Sequence, residues 1–435
     1  MKYFGTDGIR QKATKFTPEF ITRIIKGLTD YAGNEIKVFL AGDTRESTEW
    51  ILQDLRTALE SFGVEYASAG VLPTPAINYC FYEMGFDFAI DVTASHNPAS
   101  DNGIKIFERG KTHGQKLSEK GCKTIEKALD STKKYPLASP TDREDLHTEA
   151  LALYINHIIN YLGNTDLSGL RIAIDCANGA TSVVSKTIFK EFGAKVHLIN
   201  ADTSYGTKIN HNCGSTHTNE LKTTVIKYHL DFGIAFDGDG DRCIMIDSDG
   251  NTIDGDNILA ILALYLKLDS IVITVMSNQG LLNWAKESRI KTEITPVGDS
   301  NVYSAMQAKK IKLGGEQSGH IILPNESTGD GILTGLMVSK AVAESKTPLD
   351  AIITKSPQII TNLRVSDKQK QDLADSKPIK TLLNYYSKKL DSINGRLLVR
   401  PSGTEPLIRI TIWGDDGVTI TKISEELKAK LGELL

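Results

Sequence analysis

The sequence has little cysteine, no surplus of positive charge and no long hydrophobic run, and each absence excludes a class of protein. Its five cysteines are odd in number and none has CxxC spacing, so neither a disulfide framework nor a zinc site is indicated. A formal net charge of −4 leaves no basic excess with which to neutralise nucleic-acid phosphates. We therefore expect reduced cysteines and no nucleic-acid partner.

Signals for membrane association or export are also missing. The opening segment MKYFGTDGIR has no apolar stretch of the kind found in signal peptides. No run of apolar residues in the chain approaches the length needed to cross a bilayer. We therefore expect a cytoplasmic protein with no membrane partner.

Two common catalytic motifs are absent as well. Ser95 in TASHNP follows the apolar run FAIDV, but Thr93 and Asn97 replace the two glycines of the GxSxG nucleophile elbow. The GxxxxGK[ST] spacing of a P-loop occurs nowhere in the chain. These absences disfavour a serine hydrolase and exclude a Walker-type phosphate loop.

Short apolar runs alternate with longer helical patterns through most of the chain, which is typical of α/β units with parallel sheets. The predicted buried strands lie at 38–41, 88–92, 171–175, 233–236, 243–247 and 270–276. Beyond about residue 355 the pattern changes to three strand-like segments, a long polar helix and a closing helix, which indicates a smaller α+β domain. The closing helix carries one apolar face, made of Ile420, Ile423, Leu427, Leu431 and Leu434. A length of 435 residues suits three or four domains.

What the sequence does contain is a dense acidic loop, DGDGDR, at 237–242. Three carboxylates within five residues repel one another, and the glycines between them allow their oxygens to converge on a cation. An EF-hand is excluded, because Arg242 and Ser248 stand where glycine and glutamate are needed and the flanking segments are strands. Mg²⁺ shared with a substrate phosphate suits the loop, and a solvated acidic turn is the simpler alternative.

Ser95 lies where a predicted parallel strand ends, which is where α/β active sites form. A phosphate on this serine would carry nearly two negative charges and would need a cation such as one at the acidic loop. On its own, TASHNP is explained at least as well by an ordinary serine turn.

Two further loops suit phosphate and sugar binding. In RPSGTEP, small residues together with Arg400 can form an anion-binding nest, and Arg409 lies on the strand face opposite the isoleucines. In GGEQSGH, Glu316 and Ser318 carry groups that can bind sugar hydroxyls. Taken alone, either loop is explained as well by an ordinary turn.

Together, these motifs resemble the α-D-phosphohexomutase superfamily from end to end. TASHNP with DNGIK resembles its phosphoserine loop, DGDGDR its metal loop, GGEQSGH its sugar-recognition loop and RPSGTEPLIR its phosphate-binding loop. KYFGTDGIR and CGSTHT are similar to the bacterial phosphoglucosamine mutases within it. The resemblance implies an α/β fold in which three similar α/β domains with mixed or parallel sheets and a smaller C-terminal α+β domain surround a central cleft. The expected domain ranges are 1–145, 146–250, 251–355 and 356–435.

The resemblance also implies roles for matched residues. Ser95 is expected to be the phosphoserine, and its phosphate is expected to bind Mg²⁺ with Asp237, Asp239 and Asp241. Candidates for proton transfer and charge stabilisation are Arg10, Lys105 and His320. The expected substrate-binding residues are Arg242, Glu316, Ser318, Arg400, Ser402, Gly403, Thr404 and Arg409.

The implied activity is a phosphoglucosamine mutase that interconverts glucosamine 6-phosphate and glucosamine 1-phosphate and feeds amino-sugar nucleotide and cell-wall precursor synthesis. The partner is then a small phosphosugar, the intermediate and activator is a hexosamine 1,6-bisphosphate, and the protein is a monomer or a homodimer. A phosphomannomutase/phosphoglucomutase of the same mechanism is the alternative, since Ser300 and Asn301 depart from the usual VGDRYV of phosphoglucosamine mutases. A non-catalytic phosphosugar- or Mg²⁺-binding regulator is the remote alternative.

Overall fold

The computed structural model describes residues 1–138, 144–366, 368–370, 373, 376–401 and 406–435. Four sheets follow one another along the chain, and short 3₁₀ turns lie at Ala13–Lys15, Ala180–Val183, Gly206–Lys208 and Asp391–Ile393. Among the described residues, no helix combines the length and apolar character needed to cross a membrane.

The first sheet has seven strands and is mixed. Its strands are β1 (Phe4–Gly5), β2 (Gly8–Lys12), β3 (Lys37–Gly42), β4 (Glu65–Val71), β5 (Phe88–Val92), β6 (Asp101–Arg109) and β7 (Gly114–Lys116). The order is β1-β2-β6-β5-β3-β4, with β7 on β6, and β3 runs parallel to both β4 and β5. Its helices are α1 (Pro18–Ala32), α2 (Glu46–Ser61), α3 (Thr74–Glu83) and α4 (Glu119–Leu129).

The second sheet has five strands in the order β12-β11-β10-β8-β9. These are β8 (Arg171–Asp175), β9 (Lys195–Ile199), β10 (Phe232–Phe236), β11 (Cys243–Asp247) and β12 (Thr252–Ile253), with helices α5 (His147–Leu162), α6 (Ser185–Glu191) and α7 (Asn219–Lys227). The apolar runs are typical of parallel strands, but β11 pairs antiparallel with β10, so the sheet is mixed, which agrees with the predicted fold class. The six residues between the two strands are too few for the crossover that a parallel pair needs.

The third sheet has four strands in the order β14-β13-β15-β16. These are β13 (Ser270–Thr274), β14 (Lys291–Thr295), β15 (Gly314–Gly315) and β16 (Ile321–Ile322). The surrounding helices are α8 (Gly255–Tyr265), α9 (Gln279–Glu287), α10 (Asp299–Lys309) and α11 (Gly331–Ser345). Asp254, Asn278 and Asp330 cap α8, α9 and α11 by accepting backbone N–H bonds, which satisfies donors that the helices leave open.

The fourth sheet is antiparallel, with β19 (Leu407–Trp413) between β17 (Gln358–Arg364) and β18 (Arg396–Pro401). Helices α12 (Lys377–Leu390) and α13 (Gly417–Leu434) pack on it. Of the predicted apolar face of α13, Leu434 is exposed, and Leu435 packs against the core instead. The predicted fold class, three α/β units followed by a smaller α+β unit, is confirmed.

Apolar packing joins the first three units and leaves the fourth with a core of its own. One continuous cluster contains Phe39 of β3, Ile174 of β8 and Ile273 of β13. The fourth unit buries the isoleucines of β19 against its two helices in a separate cluster. Because burial of apolar area is the main stabilising term, the first three units are expected to unfold together.

A buried hydrogen bond ties α5 to the third unit and gives a stability test. The Tyr154 hydroxyl donates to Asp330 Oδ2 at 2.9 Å, and both side chains are buried. We expect Tyr154→Phe to lower the stability of the joined units by about 1.5–3 kcal/mol, since the carboxylate loses a donor and stays buried. Thermal melting at pH 8 measures the change. Tyr385→Phe, at an exposed tyrosine, is the control, and equal melting of both variants would contradict the prediction.

Candidate active site

Ser95 lies in a tight turn directly after β5, at the carboxyl end of that parallel strand. Its φ of 51° is in the left-handed region, which a non-glycine residue adopts only when its surroundings hold it there. The side chain is buried, and Oγ donates a hydrogen bond to Asp237 Oδ2 at 2.7 Å. The turn therefore presents the predicted nucleophile directly to the acidic loop of the next unit.

The acidic loop connects β10 to β11 and is buried rather than solvated. Asp237, Asp239 and Asp241 each offer a carboxylate oxygen, and these oxygens lie within 4.8 Å of one another. Burial and the charges of the other two carboxylates raise the pKa of Asp237 well above its usual range. Within the described part of the chain, Oδ1 of Asp239 and Oδ1 of Asp241 are buried without a hydrogen-bond partner.

This arrangement fits a divalent cation. The three buried carboxylates repel one another, and two of their oxygens have no partner; a hard cation with oxygen ligands would remove both costs. The glycines permit it: a Cβ at Gly238 would lie 2.7 Å from the Ser95 carbonyl oxygen, and Gly240 has a φ of +74°. The solvated-turn interpretation of the loop does not agree with its burial.

Lys105 supplies the positive charge closest to this loop. Its Nζ lies 2.6 Å from Asp239 Oδ2, 3.2 Å from Asp241 Oδ2 and 3.1 Å from Asp7 Oδ2. Burial lowers the pKa of Lys105, but these three carboxylates more than offset it, so its pKa is raised well above the usual range. Lys105 is therefore an ammonium group that contacts the Oδ2 atoms of these carboxylates and does not use Oδ1 of Asp239 or Asp241.

The opening segment adds a second charged cluster beside Lys105. Arg10 pairs with Asp7, and Lys116 pairs with both Asp7 and Asp299. Asp299 begins α10 in the third unit, so Lys116 bridges two units. Arg10 Nε is buried and has no hydrogen-bond partner among the residues that the structure describes, which leaves it available to an anion.

Arg242 and His96 border Ser95 on another side. Arg242 Nε lies 3.8 Å from Asp237 Oδ2 and 3.8 Å from Asp241 Oδ1, too far for a direct hydrogen bond. His96 Nδ1 lies 3.3 Å from Ser95 Oγ. Burial, together with the charges of Arg242 and Arg10, lowers the pKa of His96 to about 3, so that its ring is neutral near pH 7.

His320 is the last residue of the GGEQSGH loop and is buried. The backbone N–H of Gly329 donates to its Nε2 at 2.9 Å, and Nδ1 lies 3.6 Å from Asp241 Oδ2. Burial lowers the pKa of His320, whereas the charges of Asp241 and Asp299 raise it by more. A doubly protonated ring would, however, direct Nε2–H at the Gly329 N–H, so we assign a neutral ring with its proton on Nδ1.

The loop GGEQSGH joins β15 to β16. Glu316 Oε1 accepts a hydrogen bond from the Gly298 N–H at 3.0 Å, beside the first turn of α10. Ser318 Oγ is buried, and none of the described residues gives it a hydrogen-bond partner. Gln317 Nε2 donates to Asp254 Oδ2 at 3.3 Å. Glu316 and Ser318 therefore keep polar groups that a ligand can use.

Arg400 and Arg409 stand opposite each other on β18 and β19. Burial and the charge of Arg409 lower the pKa of Arg400. Like charges directly opposite on a sheet are destabilising, and an anion bound between them would relieve the repulsion. Ser402, Gly403 and Thr404, predicted to complete this phosphate site, lie outside the described residues.

A cavity of about 1100 Å³ lies beside these clusters. Among the predicted site residues it is lined by Arg10, Lys105, Arg400 and Arg409. The other predicted site residues that the structure describes do not line it: Ser95, the three aspartates, Arg242, Glu316, Ser318 and His320. Lys105 links the cavity wall to Asp239 and Asp241 by the contacts above. The volume suits a ligand of several hundred daltons.

Several residues of this site were not singled out from the sequence. Asp7 lies within the quoted opening KYFGTDGIR and Asp299 within the segment compared with VGDRYV, so motifs marked both segments, whereas nothing in the sequence marks Lys116. Arg45 and Asn210, which contact the Ser95 turn, also escaped notice. Such side chains meet only in the folded protein.

Comparisons with known proteins agree with this geometry. Four models of the phosphoglucomutase/phosphomannomutase family match in order: alpha/beta/alpha domain I at 1–136, domain II at 152–250, domain III at 254–359 and the C-terminal domain at 360–430. The crystal structure of a phosphoglucomutase/phosphomannomutase family protein from Burkholderia thailandensis superposes with a TM-score of 0.77 at 21% identity, covering 98% of this chain and 96% of that one.

Curated relatives are similar over nearly the whole length. A phosphoglucosamine mutase from Clostridium acetobutylicum is 40% identical over 432 residues, covering 95% of each chain. One from Clostridioides difficile is 36% identical over 452 residues, covering 100% of this chain and 99% of the relative. Because the four domain models and these relatives span almost every residue, the chain belongs to the phosphoglucomutase/phosphomannomutase family of phosphohexomutases.

Proposed function

We propose that the protein is a phosphoglucosamine mutase that interconverts glucosamine 6-phosphate and glucosamine 1-phosphate through a phosphoserine at Ser95. The observation that carries the proposal is the buried hydrogen bond from Ser95 Oγ to Asp237, inside a triad of carboxylates. This contact supports Ser95 as the nucleophile, because a cation and several basic side chains could neutralise a phosphate there. Glucosamine phosphate is proposed as the substrate because the full-length relatives are named phosphoglucosamine mutases.

The chain's own residues support a transfer in two halves. Phospho-Ser95 gives its phosphoryl group to the free hydroxyl of the hexosamine phosphate: the bond from phosphorus to Ser95 Oγ breaks, a bond to the sugar oxygen forms, and the hydroxyl proton ends on Ser95 Oγ. The bisphosphate then turns end for end, and Ser95 recovers a phosphoryl group from the other position. Such transfers depend mainly on positioning and charge neutralisation.

Asp237, Asp239 and Asp241 would hold Mg²⁺, which when bound supplies positive charge at the transferring phosphoryl group. Lys105 and Arg10 add charge from the cavity side, since Lys105 is an ammonium and Arg10 has an unused donor. Arg242 borders the same region. Neutral His320 can donate through Nδ1, and its neighbouring Asp241 orients it.

The remote half of the substrate is expected to lie across the cavity. Arg400 and Arg409, with Ser402, Gly403 and Thr404, are proposed to bind the phosphate that is not transferred. Glu316 and Ser318 are proposed to bind sugar hydroxyls. The site has to accept a phosphate from either end of the sugar, which suits a cluster of positive charge and amides better than a single directional contact.

The proposed distal site gives a prediction. Arg400→Ala is expected to lower kcat/KM for both monophosphates by about ten- to a few-hundredfold, because a charge-assisted hydrogen bond contributes roughly 1.5–3 kcal/mol. Bisphosphate should also leak from the enzyme during turnover, while phosphorylation of Ser95 persists. Arg364→Ala, an exposed arginine on the same sheet, is the control. If KM and bisphosphate retention are unchanged in Arg400→Ala, Arg400 does not bind the phosphate that is not transferred.

Substrate comparison tests the proposed function. We expect kcat/KM for glucosamine 6-phosphate to exceed that for glucose 6-phosphate and mannose 6-phosphate by at least about tenfold, as a site that hydrogen-bonds the amino group would reject analogues lacking it. A preference for glucose or mannose phosphate would favour the phosphomannomutase/phosphoglucomutase alternative. One observation supports that alternative: Ser300 and Asn301, which are both neutral, line the cavity. If the enzyme turned over none of the three sugar phosphates, the proposed mutase function would be wrong.

A further inference from the structure

Arg45 is a buried arginine whose donors are directed at the turn that carries Ser95. It lies between β3 and α2, and its Nε donates to Asp43 Oδ2 at 2.9 Å. Its two terminal nitrogens donate to four backbone carbonyls of the turn, those of Ser95 (2.9 Å), Asn97 (2.9 Å), Pro98 (2.6 Å) and Asp101 (3.0 Å). One guanidinium therefore contacts four carbonyls within the seven residues from Ser95 to Asp101.

The same pair also holds the amide side of Ser95. The Thr93 hydroxyl donates to Asp43 Oδ2 at 2.7 Å and accepts from the Ser95 N–H at 2.9 Å. Asp43 therefore neutralises Arg45 and orients Thr93 at once. Ser95 is held through its N–H by one branch of this network and through its carbonyl by the other.

A second side chain reaches the turn from another unit. Asn210 follows the second unit's β9, and its Nδ2 donates to the Ser95 carbonyl at 2.8 Å and to the Asn97 carbonyl at 3.1 Å. The Ser95 carbonyl consequently accepts from Arg45 on one side and from Asn210 on the other. Because the metal loop belongs to the same unit as Asn210, this contact also fixes the distance between Ser95 and Asp237.

We propose that Arg45 and Asn210 are positioning residues for phosphoryl transfer: together they clamp the Ser95 turn so that Oγ faces the three aspartates. The inference rests on the proposed function. Ser95 has to meet the reacting phosphate in both half-reactions with its φ at 51°, and a displacement of about 1 Å can cost about a hundredfold in rate. Neither side chain is among the residues lining the substrate cavity, so the clamp acts on rate rather than on binding.

Arg45→Lys and Asn210→Ala test the clamp separately. Lysine keeps the charge beside Asp43 but lacks the planar fork that spans four carbonyls. We expect kcat to fall about a hundredfold in Arg45→Lys and about tenfold in Asn210→Ala, with KM changed by less than about threefold. The phosphorus resonance of phospho-Ser95 should shift in both variants, a readout that a purely structural role away from the turn would leave in place.

Two controls match the chemistry without touching the turn. Arg56→Lys changes an arginine of α2 that bonds Glu49 and Gln53. Asn200→Ala changes an asparagine in the second unit whose amide bonds Glu220. Both controls should keep wild-type kcat and an unshifted phosphorus resonance.

The outcomes separate the two claims. Wild-type kcat in Arg45→Lys and Asn210→Ala overturns the clamp while the mutase function stands. A loss confined to KM overturns it too, as does unfolding of both variants below the assay temperature. If only Arg45→Lys unfolds, the kcat and KM of Asn210→Ala decide whether the clamp stands. A wild-type enzyme without mutase activity overturns the proposed function, and the clamp falls with it.

Discussion

Ser95→Ala is expected to abolish mutase turnover, lowering kcat by at least about 10⁴-fold, because the variant lacks the oxygen that is proposed to carry the phosphoryl group. Oγ donates a hydrogen bond to the buried Asp237 and lies 3.3 Å from His96 Nδ1, so the variant should keep its fold while losing about 1–3 kcal/mol of stability. Steady-state kinetics with glucosamine 6-phosphate and a catalytic amount of bisphosphate measure the loss.

The intact mass of the protein makes this test specific. Wild-type enzyme incubated with bisphosphate should gain the mass of one phosphate, and Ser95→Ala should gain none. Ser100→Ala is the matched control, since Ser100 is exposed in the same loop and contacts only Lys12 through its hydroxyl among the described side-chain hydrogen bonds. Near-wild-type turnover in Ser95→Ala would mean that another residue carries the phosphoryl group.

Asp239→Asn is expected to lower kcat by about 10²–10³-fold, since a metal at a phosphoryl-transfer site contributes several kcal/mol of charge stabilisation. Asparagine keeps the shape of the side chain and an acceptor for Lys105, but it removes one of the three negative charges that attract a cation. Chelation of the wild-type enzyme by EDTA should produce a loss of similar size, and added Mg²⁺ should restore the activity.

The Mg²⁺ requirement of the variant separates metal binding from other effects. Asp239→Asn should need more Mg²⁺ for half-maximal activity, whereas Asp249→Asn, an exposed aspartate in the turn that follows β11, should behave like wild type. Full activity of the wild-type enzyme in EDTA would contradict a role for Mg²⁺ in the reaction. An unchanged Mg²⁺ requirement in Asp239→Asn would remove this residue as a ligand.

Much of the fold could be predicted because its strands are short apolar runs with clear ends. The segments predicted at 88–92, 171–175 and 243–247 agree with β5, β8 and β11 at both ends. The pairing direction of a single strand such as β11 could not be predicted, since an apolar run looks the same in either orientation. The domain boundaries at 145, 250 and 355 stay predictions.

The candidate site could be predicted only where its residues cluster along the chain. Ser95 and the three aspartates stand in compact motifs, and the fold brings those motifs together over 142 positions of sequence. Lys116 and Asn210 have no such signal, because each is a single polar residue in an ordinary segment. Their contacts depend on how the first unit packs against the second and third, which no local pattern records.

Transfer of a labelled phosphate tests the central claim most directly. Enzyme carrying ³²P on Ser95 is mixed with unlabelled glucosamine 6-phosphate and sampled within single turnovers by rapid quench. We expect the label to leave the protein at the rate of turnover. It should appear first in the bisphosphate and then in the monophosphates. Label that stays on the protein while glucosamine 1-phosphate accumulates would contradict the central claim.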